Sequence, residues 1–129
     1  MVRRYDQRGQ ASVEWVLVLP LLMLLVLTGV QVALWAHAGH IATAAAQEGV
    51  VVARSVSGSA DAGESRARNV LDQMGRRLVE DPDVAATLTP TSARVDVRGR
   101  AIAIIPLLRL GVHGQATSPL EAFGDPRER

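Results

Sequence analysis

The side chains able to do chemistry are few. Glu14 stands at the mouth of a run, Trp15 to Ala36, that carries no charge for about 22 residues. An ionised carboxylate at full membrane depth costs about 2.5–3.5 kcal/mol, and less near the interface. Such a group has a partner, serves a function, or lies in the headgroup layer. His37 and His40 share a helix face at a spacing that suits a metal. They lack a third ligand: His113 is far along the chain and Glu48 lies two turns beyond His40. Interfacial histidines are therefore expected, and no metal. Ser12 lies near Glu14 without a histidine nearby, and Asp81 and Asp83 flank Pro82, where turn chemistry accounts for them. The sequence contains no GxSxG, HExxH, P-loop or dinucleotide fingerprint, so neither catalysis nor a cofactor is expected.

The elements that position these residues begin with the apolar run itself. As a helix, Trp15 to Ala36 spans roughly 33 Å, enough for a hydrocarbon core about 30 Å thick. Arg3, Arg4 and Arg8 precede the run, whereas Arg54 is the only basic residue soon after it. The positive-inside rule then puts the N-terminus in the cytoplasm and the rest outside. A cleavable signal sequence is the rival reading, with an Ala36-His37-Ala38 triplet as its processing site. Its apolar region is ordinarily about 7–15 residues, shorter than this one.

Over 129 residues the formal net charge is +1, which gives no electrostatic footprint for nucleic acid. The fourteen basic residues are all arginine, a coding bias of GC-rich bacterial genomes rather than a physical signal. There is no cysteine, so disulfides and thiolate metal sites are excluded.

Within the run, Pro20 removes the amide partner of the Val16 carbonyl and should bend the helix. Gln31 offers a hydrogen bond across a helix pair or a reach toward the outer headgroups. The segment from Ala36 to Ser57 has no proline and is rich in alanine, which predicts that the helix continues past the bilayer. Its small residues fall in two rows, Ala38, Ala42 and Ala46, and Ala45, Gly49 and Ala53. Such rows let helices approach closely, so a helix-packing surface is expected.

After a break at residues 57–63, Asp61 is the expected N-cap of an amphipathic helix of about five turns that ends before Pro82. Ala67, Val70, Leu71, Met74 and Leu78 form its apolar stripe, with Glu64/Arg68 and Asp72/Arg76 as pairs on the wet face. From Ser92 the period becomes two. Ala93, Val95 and Val97 on one side of Gly99-Arg100, and Ala101 to Ile105 on the other, read as a hairpin, with Pro106 stopping its second strand. A third, weaker strand is predicted from Gly111 to Thr117. So small a head needs the amphipathic helix, the first helix or another subunit to cover its sheet.

The stretch Gly9-Gln10-Ala11-Ser12-Val13-Glu14-Trp15 resembles a prepilin processing motif: a glycine, a glutamate five residues later, then an aromatic, opening a long apolar helix. With Val16 to Leu22 and Ala45-Ala46-Gln47-Glu48-Gly49, it is similar to TadE-like proteins of the tight-adherence (Flp) pilus system, within the type IV pilus superfamily. The resemblance covers Arg8 to Arg54 closely and is looser in the tail, where Pro119-Leu120-Glu121-Ala122-Phe123 is similar to the end of some members. Trp15 departs from the usual tyrosine or phenylalanine, but tryptophan suits a membrane interface.

The resemblance implies cleavage by a membrane-embedded prepilin peptidase between Gly9 and Gln10. The hydrolytic residues belong to that peptidase. It also implies that Glu14, beside Trp15, registers the subunit by neutralising the new amine of a neighbour as helices bundle. The implied partners are the membrane, the peptidase, and other pilins and assembly proteins through helix packing.

The fold expected is α+β, with a pilin-like layout. Residues 1–9 form a cytoplasmic leader, 10–57 a transmembrane helix with its extracytoplasmic extension, and 58–129 a small head. That head has one helix and a two- or three-stranded antiparallel sheet. The reading is a structural minor pilin or pilus assembly protein in the cytoplasmic membrane or a surface pilus. The alternatives are an unprocessed single-pass envelope protein whose head binds another partner, and a small secreted enzyme-like domain released at Ala38.

Overall fold

The computed structural model describes the backbone of residues 7–120 and the side chains of residues 13–120. The first part of the leader, at residues 1–6, and the Glu121-Ala122-Phe123 motif lie outside the described residues.

Helix α1 runs unbroken from Gln7 to Ala53 and includes Pro20. At 1.5 Å per residue it is about 70 Å long, more than twice the thickness of a bilayer core. Its best apolar window has a mean hydropathy of 2.5, high enough for a membrane span. The helix has two different surroundings. Around Val13 to Val30 its large side chains are exposed on all sides, among them Val16, Leu17, Leu21 and Leu25. From Gln31 onward one face is covered: Gln31, Ala38, Ile41, Ala42, Ala45, Ala46, Val50 and Ala53 are buried. That recurrence at three, four and seven residues is the stripe by which a helix meets a core.

Helix α2, Ala60–Val70, is shorter than its periodicity predicts. Its N-cap is Ser59 rather than the expected Asp61, with the Ala62 N–H donating to the Ser59 hydroxyl at 3.1 Å. A π turn at Leu71–Gly75 ends the helix, and a strand begins at Val79, where two further helical turns were expected. Ala67, Val70 and Leu71 of the expected stripe are buried, whereas Met74 is exposed. Gly75 allows the reversal: a Cβ there would stand 3.0 Å from the Ile41 side chain.

Strands β1 (Val79–Leu88), β2 (Ser92–Ala101) and β3 (Gly111–Pro119) form an antiparallel sheet in the order β1-β2-β3. The hairpin expected around Gly99-Arg100 does not exist. Strand β2 passes straight through these residues, pairing Arg100 with Glu80 on one side and Gly111 on the other. A two-residue hairpin turn needs left-handed backbone, and no glycine among the described residues has positive φ. Gly99 is there for space: a Cβ would meet the Val79 side chain at 2.7 Å. The partner of β2 is instead β1, whose Glu80, Pro82 and Asp83 obscure its alternation. Proline is tolerated because β1 is an edge strand with a bulge between Glu80 and Asp83. Asp81 in that bulge takes φ 47°, a left-handed conformation that aspartate accepts better than most residues, and its carboxylate pairs with Arg100.

The open edge of β1 is closed by α2. The Ala86 N–H donates to Glu64 Oε1 at 3.0 Å, and Arg68 donates to the Val84 carbonyl at 3.3 Å. Glu64 and Arg68, expected as a pair on the wet face, instead satisfy backbone groups that would otherwise invite another strand. The Glu48–Arg66 ion pair at 2.9 Å joins α1 to α2 at the exposed rim.

Ala93, Val95 and Val97 face inward from β2 and join Val84, Val112, Val70 and Leu71 against α1 in one core. The packing is close enough to require glycine. A Cβ on Gly63 would lie 2.8 Å from that of Ala53, and one on Gly114 would collide with the Ala42 backbone.

Residues 102–110 connect β2 to β3 and are fastened to α1 by Gln31, a fully buried side chain. Its Nε2 donates to the Ile102 carbonyl at 3.1 Å, and its Oε1 accepts from the Ile104 N–H at 2.8 Å and the Ile105 N–H at 3.4 Å. The partner of Gln31 is thus its own chain, not a second helix or the headgroups. One turn on, the Trp35 indole N–H donates to the Gly111 carbonyl at 2.9 Å.

Two outcomes follow. Gly114→Ala should cost about 1–3 kcal/mol of head stability by overpacking against α1. Gly111→Ala, where nothing lies within 4 Å of the added methyl, should stay within about 0.5 kcal/mol. Thermal melts of the detergent-solubilised chain compare the pair, and equal melting would remove the flush contact from the account. Gln31→Leu leaves buried backbone groups without partners, at about 1–3 kcal/mol. Amide exchange at Ile104 should then accelerate; unchanged protection would mean that Gln31 does not hold the loop.

Candidate assembly site on the first helix

Residues Gly9 to Trp15, the stretch that resembles a prepilin processing motif, lie near the N-terminal end of α1. Gly9 and Gln10 are within the helical backbone, while the surroundings of their side chains, and those of Ser12, are outside the described residues. Glu14 and Trp15 are exposed and, with Val18, line a shallow recess on the helix surface. Among the described residues Glu14 has neither an ion pair nor a hydrogen bond.

Distance explains this isolation. The first buried residue on α1 beyond Glu14 is Gln31, about 25 Å further along the axis at 1.5 Å per residue. No head side chain among the described residues can reach Glu14 while the helix is continuous. A partner for the carboxylate must come from the N-terminal segment, lipid, water or another chain.

The small-residue rows have a different placement. Ala38, Ala42, Ala45, Ala46 and Ala53 are all at most 1% exposed, and Gly49 lies against Gly63 and Ala67. Their packing is intramolecular: α2 and the sheet of the same chain cover them. They are closed to a second helix while the head is docked. The outward face of this stretch presents Gln47, Glu48, Val51 and Arg54 instead.

His37 and His40 are exposed on α1. The fold brings His113 from β3 to the same open groove as His40, alongside Trp35, Gly39, Thr43 and Val112. No group of three or more His, Cys, Asp or Glu suited to a metal occurs among the described residues. His113 instead approaches Asp96, its Nε2 at 3.5 Å from Oδ1. The Asp96 carboxyl is held below its ordinary range, chiefly by a hydrogen bond from Arg94 at 2.9 Å. This is the ordinary behaviour of a charge row on a wet sheet face. Asp81 and Asp83, read from the sequence as loop residues, lie instead at the bulge within strand β1.

Sequence reasoning did not anticipate the clamp made by Gln31 and Trp35. Its only sequence signal is one amide side chain in an otherwise apolar run.

Similarity to known proteins falls on the same helix. The family model described as TadE-like protein matches residues 9–50, which is α1 from the glycine of the motif to Val50, with the rest of the head outside the match. No curated protein and no solved structure gives a significant match to the chain. Over residues 9–50, about a third of its length, the chain is similar to TadE-like proteins, and the matched segment lies on one N-terminal helix long and apolar enough to cross a membrane.

Proposed function

We propose that this chain is a structural subunit or assembly factor of a tight adherence pilus, matured by a prepilin peptidase between Gly9 and Gln10. The observation that carries the reading is the conjunction, within one matched segment, of Gly9, Glu14 and a helix that stays bare for about 25 Å beyond Glu14. Glycine removes the side chain before the scissile bond, and cleavage would leave an ammonium on Gln10 close to Glu14. A carboxylate with no head residue within reach is suited to neutralise such an amine on a neighbouring subunit, because opposite charges attract strongly in a low-dielectric setting.

In this reading residues 1–9 are a cytoplasmic leader, α1 crosses the cytoplasmic membrane, and the head from residue 58 lies outside. The basic residues Arg3, Arg4 and Arg8 support that orientation. Subunits associate in the membrane through the bare half of α1, since the small-residue rows beyond Gln31 are occupied by the head. The protein acts by packing and charge pairing, with no reaction of its own. The alternative of an unprocessed envelope anchor differs in its N-terminus and is separated by the same measurement.

Intact mass of the protein from native membranes should correspond to a chain beginning at Gln10. A mass beginning at Met1 would favour the plain anchor, and one beginning at Gly39 would overturn both readings. Gly9→Leu should abolish maturation while membrane insertion persists; normal maturation would place the cut elsewhere. Glu14→Ala should still be cleaved but lose pilus assembly, and wild-type piliation in that variant would take Glu14 out of the mechanism.

A further inference from the structure

The loop at residues 102–110 is in the wrong place for a solvent loop. Its sequence, Ile102-Ala103-Ile104-Ile105-Pro106-Leu107-Leu108-Arg109-Leu110, has no charge before Arg109. Three of its large side chains are exposed, Leu107 almost wholly at 95% and Ile104 and Leu108 in part at 44% and 38%. In water that is an unpaid patch on an otherwise charged head.

Its height along α1 gives the patch a partner. Trp15 and Trp35 lie about 30 Å apart on the helix axis, which is the thickness of a hydrocarbon core. Tryptophans at both ends of a span mark the two interfaces. Gln31, which grips Ile102, Ile104 and Ile105, lies a full turn inside Trp35, on the hydrocarbon side. The loop is therefore held below the outer interface of the bilayer that α1 crosses.

The stretch of the loop gripped by Gln31 fits that depth. The N–H groups of Ala103, Leu107, Arg109 and Leu110, which have no partner among the described residues, need water or headgroups and keep the rest of the backbone at the interface with its side chains dipping inward. Irregular backbone is tolerated in hydrocarbon only where its polar groups are satisfied within the protein. Gln31 serves the Ile102 carbonyl and the Ile104 and Ile105 amides. The Ile102 N–H donates to the Leu78 carbonyl at 3.0 Å, the Leu108 N–H to the Ile105 carbonyl at 2.9 Å, and the Ala101 N–H to the Leu110 carbonyl at 2.9 Å. Pro106 has no N–H to satisfy. Arg109 follows the last exposed leucine, where a long side chain can reach back to the headgroups.

We propose that the 102–110 loop is a second membrane-binding element, inserted into the outer leaflet with Ile104, Leu107 and Leu108 among the acyl chains. The head is thereby seated on the lipid surface and held upright on α1. The buried amide of Gln31 satisfies the part of the loop that lies deepest, at Ile102, Ile104 and Ile105. The proposal rests on α1 crossing the membrane and is independent of processing at Gly9.

The chain contains no cysteine, so single cysteines report without background. Leu107→Cys, Thr89→Cys at the opposite end of the head, and Leu22→Cys in the middle of the span would each carry an environment-sensitive fluorophore. The full chain is reconstituted in phosphatidylethanolamine/phosphatidylglycerol vesicles, with quencher either on the lipid acyl chains or as aqueous iodide. The Leu107 label should be quenched several-fold more by lipid-borne quencher than the Thr89 label, and shielded from iodide as the Leu22 label is. A Leu107 label as open to iodide as the one at Thr89 would overturn loop insertion. One shielded from both quenchers would also overturn it, since the loop would then be covered by protein, such as a second copy. A Leu22 label that lipid-borne quencher fails to reach would instead overturn the membrane span on which the proposal rests.

Discussion

The head is built on a strip of backbone rather than on a pocket of large side chains. Along the outer half of α1 the buried positions are mostly alanine, with Gly49 among them, and the elements laid against them answer with Gly63, Gly75 and Gly114. Fully burying a valine or leucine contributes about 1.5–3 kcal/mol, and a single methyl much less. A core of this composition is held by the closeness of its contacts, through dispersion between surfaces in register. With no cysteine in the chain, no covalent link assists. The sheet, α2 and the loop to β3 all take their positions from that contact, so the head has no interior apart from the helix that also carries the long apolar run.

That dependence divides α1 into two working lengths. One is smooth, apolar and bare, and carries Glu14 with no head residue within reach. The other is consumed by the head and has little left to offer another helix. In the proposed assembly, neighbours would meet through the bare half, where a single unneutralised carboxylate would have the greatest influence on register. Gln31 marks the boundary between the two lengths. It is the residue at which the helix stops being exposed on all sides and begins to bind its own head.

The edges of the sheet follow the same economy. An exposed strand edge is a template for association. Here β1 is blunted by a bulge with Asp81 in a left-handed conformation, by Pro82, and by the hydrogen bonds that Glu64 and Arg68 make to its free groups. The charged outer face of β2 and β3, where Arg94 and Asp96 of β2 meet His113 of β3, keeps the opposite side of the sheet in water.

The long helix, its apolar length, the carboxylate at its mouth and the third strand were legible in the sequence because each is written in consecutive residues. So were the small-residue rows, although not what would cover them. Residues 71–88 misled, because Met74 and Leu78 continue a helical period that Gly75 interrupts, and acidic residues with a proline mask an edge strand. Gly99 misled because a glycine that makes room looks the same in sequence as one that makes a turn. Sequence by itself determined that this chain has one apolar helix, long enough for a membrane and followed by a small mixed head. Only the tertiary structure decided that the outer half of that helix is the head's own core, and that Gln31 binds residues some seventy positions away. The reason is physical: periodicity records which face of an element is apolar, whereas the identity of what covers it depends on contacts between segments that local sequence does not encode.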